Sequence, residues 1–274
     1  MRDLNQKIKL RILILLLFTI IAVIYLGGIC ITEEMIRGSF LQAKKPPGRE
    51  YLFGTDALGR DLFLRTLKGL GTSITIGLTA SLISGFLALL VGIASAVGSK
   101  KIDGVLSWII DLVMGVPHTI LIILISFALG RGMKGLLVGV AATHWCSLAR
   151  VIRAEVLQLR SCPFVSVSQK LGKSKSWIFT NHLLPHLLPQ FLVGLILMFP
   201  HAILHEASIS FLGFGLPPEE AAIGIILAES MGYLSTGMWW MVVLPGGTLV
   251  LLVLLMDGLA EAVSRLLDPY SAQE

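Results

Sequence analysis

Charge is scarce in this chain. Of its 274 residues only 14% are Asp, Glu, Lys or Arg, where a soluble domain carries roughly 25%. So few charges cannot coat a globule. Cysteine is scarce as well: Cys30, Cys146 and Cys162 form an odd set with no Cys-x-x-Cys pair, which excludes a disulfide framework and zinc-ribbon spacing. No GxxxxGK[ST] phosphate loop occurs, so nucleotide hydrolysis has no seat here. The run His205-Glu206-Ala207-Ser208-Ile209 begins like the zinc-protease pattern HExxH, but Ile209 stands where the second histidine is required. No Ser/His/Asp or Cys/His arrangement is credible as a catalytic triad. The net charge of +5 on its own would suit nucleic acid, but the basic residues fall in loops, which favours a membrane reading. There they set membrane orientation and touch anionic headgroups.

What is abundant is apolar: 55% of residues are hydrophobic and the mean hydropathy is +0.83. Several runs approach the ~20 residues a bilayer core demands. The expected fold class is all-α, a polytopic membrane protein with six transmembrane helices. The runs are 12–32, 73–98, 108–130, 135–152, 190–207 and 239–263. The first follows the basic stretch MRDLNQKIKLR and is about as long as a full span, so it is expected to stay as an uncleaved helix rather than a signal peptide. Small residues in the second (Gly77, Ser81, Gly85, Gly92) suit close helix packing in lipid. Pro117 is a kink site in the third, and Pro245-Gly246-Gly247 interrupts the sixth. Asp111, Asp257 and Glu261 lie near span ends and suit interfacial anchoring.

With the N-terminus inside, the inside segments hold thirteen Lys and Arg and the outside segments nine, which favours cytoplasmic termini. The chain divides into residues 1–72, a first span with an extracytoplasmic segment, and 73–274, a core carrying a cytoplasmic loop at 153–189. That loop places Phe164, Val167 and Leu171 at helical spacing, then Gly172, then a second apolar start at Ile178 and Phe179. The pattern predicts a short amphipathic helix, a glycine turn and a helix entering the membrane. Such a helix docks into a partner's groove or lies on the membrane surface; spacing leaves both open.

Three blocks carry a resemblance. Gly54-Thr55-Asp56 and Gly59-Arg60-Asp61 precede the second span, SFLGFG occupies 210–215, and LLDP occupies 266–269. Together, and in this order, they resemble the permeases of the dipeptide, oligopeptide and nickel family of ABC importers. The resemblance implies a type I ABC importer permease fold in the cytoplasmic membrane and a transport subunit rather than an enzyme. It implies as partners a homologous sister permease, two ATPases that carry ATP-Mg, an extracytoplasmic solute-binding protein and membrane lipid, with no cofactor in this chain and no nucleic acid.

It also assigns a coupling segment to Ser166, Val167, Ser168, Leu171, Gly172, Leu184 and Pro185. Ser166-Val167-Ser168 stands where the family usually has Glu-Ala-Ala, and His182 where it usually has Ile. The missing glutamate removes one salt bridge to the ATPase, for which Lys170, Lys173 and Lys175 offer substitute charge.

His201, His205 and Glu206 are titratable groups inside an apolar run, and such groups usually face a cavity or a partner. The two histidines share a helix face, being about 40° apart, while Glu206 lies roughly 100° from His205. Neutral imidazole suits nickel, copper and zinc. The pair before SFLG, with His144-Trp145 in the fourth span, is more similar to the nickel permeases. The expected cargo is therefore nickel or a nickel chelate touched transiently by His201 and His205, with di- or oligopeptides as the alternative. Hydrogen bonding to neighbouring helices explains these histidines equally well. Glu206, Glu219, Glu220 and Glu229 together suggest an acidic outer rim that favours cations. A stand-alone channel is the rival function; it would conduct without ATPases.

Overall fold

The protein is described here from a computed structural model, which covers residues 2–267. Ten helices follow in order: α1 (Arg2–Cys30), α2 (Leu62–Val97), α3 (Lys100–Gly115), α4 (His118–Ala128), α5 (Gly132–Arg160), α6 (Pro163–Lys170), α7 (Lys175–Ile178), α8 (Leu184–Phe211), α9 (Ile223–Leu234) and α10 (Trp240–Leu267). A π-helical turn, Phe179–Leu183, joins α7 to α8. Among the described residues there is no strand, only an isolated bridge between Thr55 and Asp61. The all-α expectation holds. Asp268 and Pro269, the end of the LLDP block, lie outside the described residues.

Among the described residues, five helical stretches are long and apolar enough to cross a membrane, and α3 with α4 forms a sixth only if counted as one broken span. The run expected as a kinked third span is instead two helices bent by 94°. Pro117 explains the break. Its ring excludes the α conformation from the residue before it, and Val116 is accordingly extended (φ −94°, ψ 136°). Pro245 has a milder effect: α10 runs through it, so the sixth span is not interrupted. In lipid no water competes for a freed carbonyl, and the helix persists.

The second span begins eleven residues before its expected start at 73, because Asp61 caps it by accepting from the backbone amides of Phe63 (2.8 Å) and Leu64 (3.3 Å). The division expected between 72 and 73 thus falls inside α2. This helix is the hub, packing on α1, α5 and α8. Its small residues permit that: a side chain at Gly77 would meet Ile203 and Phe199 of α8, and one at Gly92 would meet Ala149 and Ile152 of α5. Close backbone approach supplies the dispersion contacts that hold helices together in lipid.

Candidate functional site

The Gly54-Thr55-Asp56/Gly59-Arg60-Asp61 block is a knot of hydrogen bonds at the start of α2. Thr55 is fully buried; its hydroxyl accepts from the Lys45 amide (2.8 Å) and donates to the Gln42 carbonyl (2.5 Å). Gly54 and Gly59 adopt φ of +73° and +72°, which favours glycine. Asp56 Oδ1 accepts from the amides of Leu58 and Arg60, each at 2.9 Å, and Oδ2 pairs with Arg60 Nε at 2.6 Å and with Arg65 at 3.2 Å. Both arginines reach Glu229 on α9, at 3.0 and 2.5 Å. The block therefore straps the loop after α1 to α9.

This strap withdraws Glu229 from the expected acidic rim. Glu229 is neutralised by Arg60 and Arg65. Glu206 is fully buried and faces α2, where it accepts from Ser73 (2.5 Å) and from Ser210 of its own helix (2.9 Å). Its position about 100° around from His205 turns it into the packing between helices and away from the cavity described next.

That cavity has a volume of about 400 Å³ and lies between α4, α5 and α8, lined by His118, His144, His201 and His205 with Ser147 and Met198. His201 and His205 share this face, as their spacing requires. His201 is exposed and His205 half-buried. The tight cluster is nonetheless a different set: His118, His144 and His205 each offer a ring nitrogen within 4.8 Å of the others. Their ring centroids are 4.5 to 5.1 Å apart. His118 went unnoticed in the sequence. The helix break sets it as the first residue of α4, and its partners stand 26 and 87 positions away, so no local pattern announces it.

On the other side of the molecule, α6 ends at Gly172, whose φ of +76° lets the chain reverse. The Lys173 amide bonds back to the Ser168 carbonyl at 3.1 Å. Val165 and Ser168 are buried against the rest of the loop. Val167 and Leu171, expected on the amphipathic face with Phe164, are instead 54% and 73% exposed; Phe164 packs inward with Val165 and Leu183. Ser166 and Gly172 are also exposed, and Leu184 is half-buried at the head of α8 beside an exposed Pro185. The expected coupling residues thus divide into a buried anchor and an unpartnered apolar tip.

Known proteins of similar shape or similar sequence place the chain. It superposes on a subunit of the MetNI methionine ABC transporter, crystallised in an inward-facing conformation, with a TM-score of 0.63 over 76% of this chain and 98% of that one, at 17% identity. A Brucella suis biovar 1 protein provisionally named a peptide transport system permease is 36% identical over 98% of this chain and 90% of its own. The dipeptide transport system permease protein DppC of Bacillus subtilis is 29% identical over 97% of this chain and 82% of its own. The oligopeptide permease OppC of the same organism is 32% identical over 84% and 75%. A sequence profile describing the inner membrane component of binding-protein-dependent transport systems matches residues 86–269, and the chain belongs to that family of ABC-importer permeases.

Proposed function

We propose that this permease subunit imports di- or oligopeptides. The chain is a membrane transport component and not an enzyme, with ATP hydrolysis left to a separate subunit. The observation that carries the peptide reading is likeness along the whole chain to proteins named for peptide, dipeptide and oligopeptide transport. Nickel, first suggested by the paired histidines, has no such relative among these and becomes the weaker reading.

The working assembly in this proposal contains a homologous sister permease, two ATPases binding ATP-Mg, and an extracytoplasmic binding protein. The histidine-lined cavity faces the sister subunit. The termini and the loop at 153–189 lie in the cytosol, where the tip at Val167 and Leu171 rests in the ATPase groove. Closure of the ATPases moves α6, and the tie from α6 through the π-turn to α8 passes that movement to the spans.

Uptake by cells carrying the complete system tests the cargo. Labelled dipeptides and oligopeptides are expected to accumulate in an ATP-dependent way. Uptake of radiolabelled nickel without uptake of peptides would reverse the assignment, and conduction by this chain alone would end the importer account.

A further inference from the structure

We propose that His118, His144 and His205 form a binding site for a late first-row divalent cation, built from three helices of this permease. It stands independently of whether the cargo is a peptide. One nitrogen from each ring lies within 4.8 Å of the other two. Nitrogens sharing a tetrahedral ion at ~2.0–2.1 Å stand about 3.3 Å apart, so modest ring rotations close the set. Neutral imidazoles select zinc, cobalt, nickel or copper over magnesium or calcium.

His144 supplies the second observation. The ring is 7% exposed. Its Nδ1 sits 2.9 Å from the Val140 carbonyl oxygen and 3.1 Å from His118 Nε2. A carbonyl can only accept, so Nδ1 carries the proton and Nε2 keeps a bare lone pair. That Nε2 is buried and has no hydrogen-bond partner among the described residues. Buried polar atoms are rarely left so. Ligation through Nε2 while Nδ1 stays fixed on a backbone carbonyl is the usual arrangement behind a metal ligand, and it requires the His118 ring to turn from Nδ1 of His144 toward its Nε2.

The sequence alone pointed to a different pair. His201 lines the same cavity one turn before His205 but does not belong to the tight cluster. The three ligands leave a tetrahedral ion one open position, directed to the cavity, for water or a group on passing cargo. Because the ligands come from α4, α5 and α8, a bound ion also ties the broken α3–α4 pair to two long spans.

The test uses the complete importer, purified without a polyhistidine tag, stripped with chelator and reconstituted in nanodiscs. Cobalt(II) chloride and zinc chloride are titrated separately. One ion per chain is expected, with visible cobalt absorption of four-coordinate intensity that zinc abolishes. His118→Gln, His144→Gln and His205→Gln should each weaken binding at least ~10-fold, the lower end of what loss of a supporting residue costs in metal sites. His186→Gln, on the cytoplasmic loop, should leave it unchanged. Absence of saturable cobalt or zinc binding by the unmodified importer overturns the site, and this readout does not depend on any variant folding. Equal losses from His186→Gln and the cluster variants would also overturn it, since binding would then be scattered over surface imidazoles.

Discussion

Ser168 Oγ and His182 Nε2 lie 3.0 Å apart, and these are two of the positions at which the proposed coupling segment departs from the residues its resemblance leads us to expect. The departures compensate each other. Where alanine and isoleucine could only meet as apolar groups, here a hydrogen bond ties α6 to the π-turn that feeds α8. Removing one partner deprives a buried Ser168 or a half-buried His182 of this hydrogen bond, which costs about 1 kcal/mol. Ser168→Ala and His182→Ala are each expected to lower the stability of the loop by that order and to reduce ATP-driven uptake. Ser168→Ala combined with His182→Ile should recover most of both. A double-mutant cycle on thermal unfolding in detergent reads the coupling directly; strict additivity would show that the contact is energetically idle.

Legibility in the sequence followed the range of the interactions. The long apolar runs at α1, α2, α5, α8 and α10 were plain from hydropathy, because lipid demands length and apolarity of each span separately. The Gly172 turn was plain as well, since a left-handed turn favours glycine locally. The true start of α2 was hidden. Residues 62–72 carry Arg65 and Lys68, which read as loop until Asp56, Glu229 and Glu33 are seen to neutralise them. Pro117 announced a disturbance but not a right-angled break. The inward turn of Glu206 depends on Ser73, 133 positions away, and the grouping of His118 with His144 and His205 depends on how three helices meet. No period of 3.6 encodes such encounters.

The strap between Asp56, Arg65 and Glu229 should dominate stability outside the spans. Arg65 is 2% exposed, and removing it leaves the nearly buried Asp56 short of one of its two cations. Breaking a buried pair from one side costs about 3–5 kcal/mol, here reduced because Arg60 remains and Glu229 is partly in water. Arg65→Ala is expected to destabilise the chain by about 2–3 kcal/mol. Lys68→Ala, which frees only the exposed Glu33, should cost no more than about 1 kcal/mol. Thermal unfolding of the two variants in the same detergent makes the comparison. Equal shifts would mean that the Asp56–Arg65 contact contributes little.

Glu206 separates a packing role from a cargo role. With Ser73 on Oε2 and Ser210 on Oε1, it can be replaced by a group of the same shape that still hydrogen-bonds. Glu206→Gln is expected to fold and to transport within about twofold of the parent. Glu206→Ala strands two buried hydroxyls and opens a void, at a cost of about 1–3 kcal/mol. It should lower the yield of folded protein without altering cargo preference. A Glu206→Gln variant that folds normally but loses uptake selectively would return the carboxylate to the transport pathway.

The apolar tip at Val167 and Leu171 gives the sharpest test of coupling. Both side chains project from the chain's own surface, so charged replacements disturb no internal packing and should change its stability by no more than about 0.5 kcal/mol. The proposed burial in an ATPase groove makes a different demand. An unpaired carboxylate forced into an apolar pocket costs several kcal/mol, more than enough to displace a docked helix. Val167→Asp and Leu171→Asp are therefore expected to insert and fold normally, to lose co-purification with the ATPase, and to abolish peptide uptake. A substitution at Ser166, exposed on the same helix but polar already, should have little effect. If the aspartate variants hold the ATPase as firmly as the parent, α6 is a membrane-surface helix, and coupling must pass through another part of the loop.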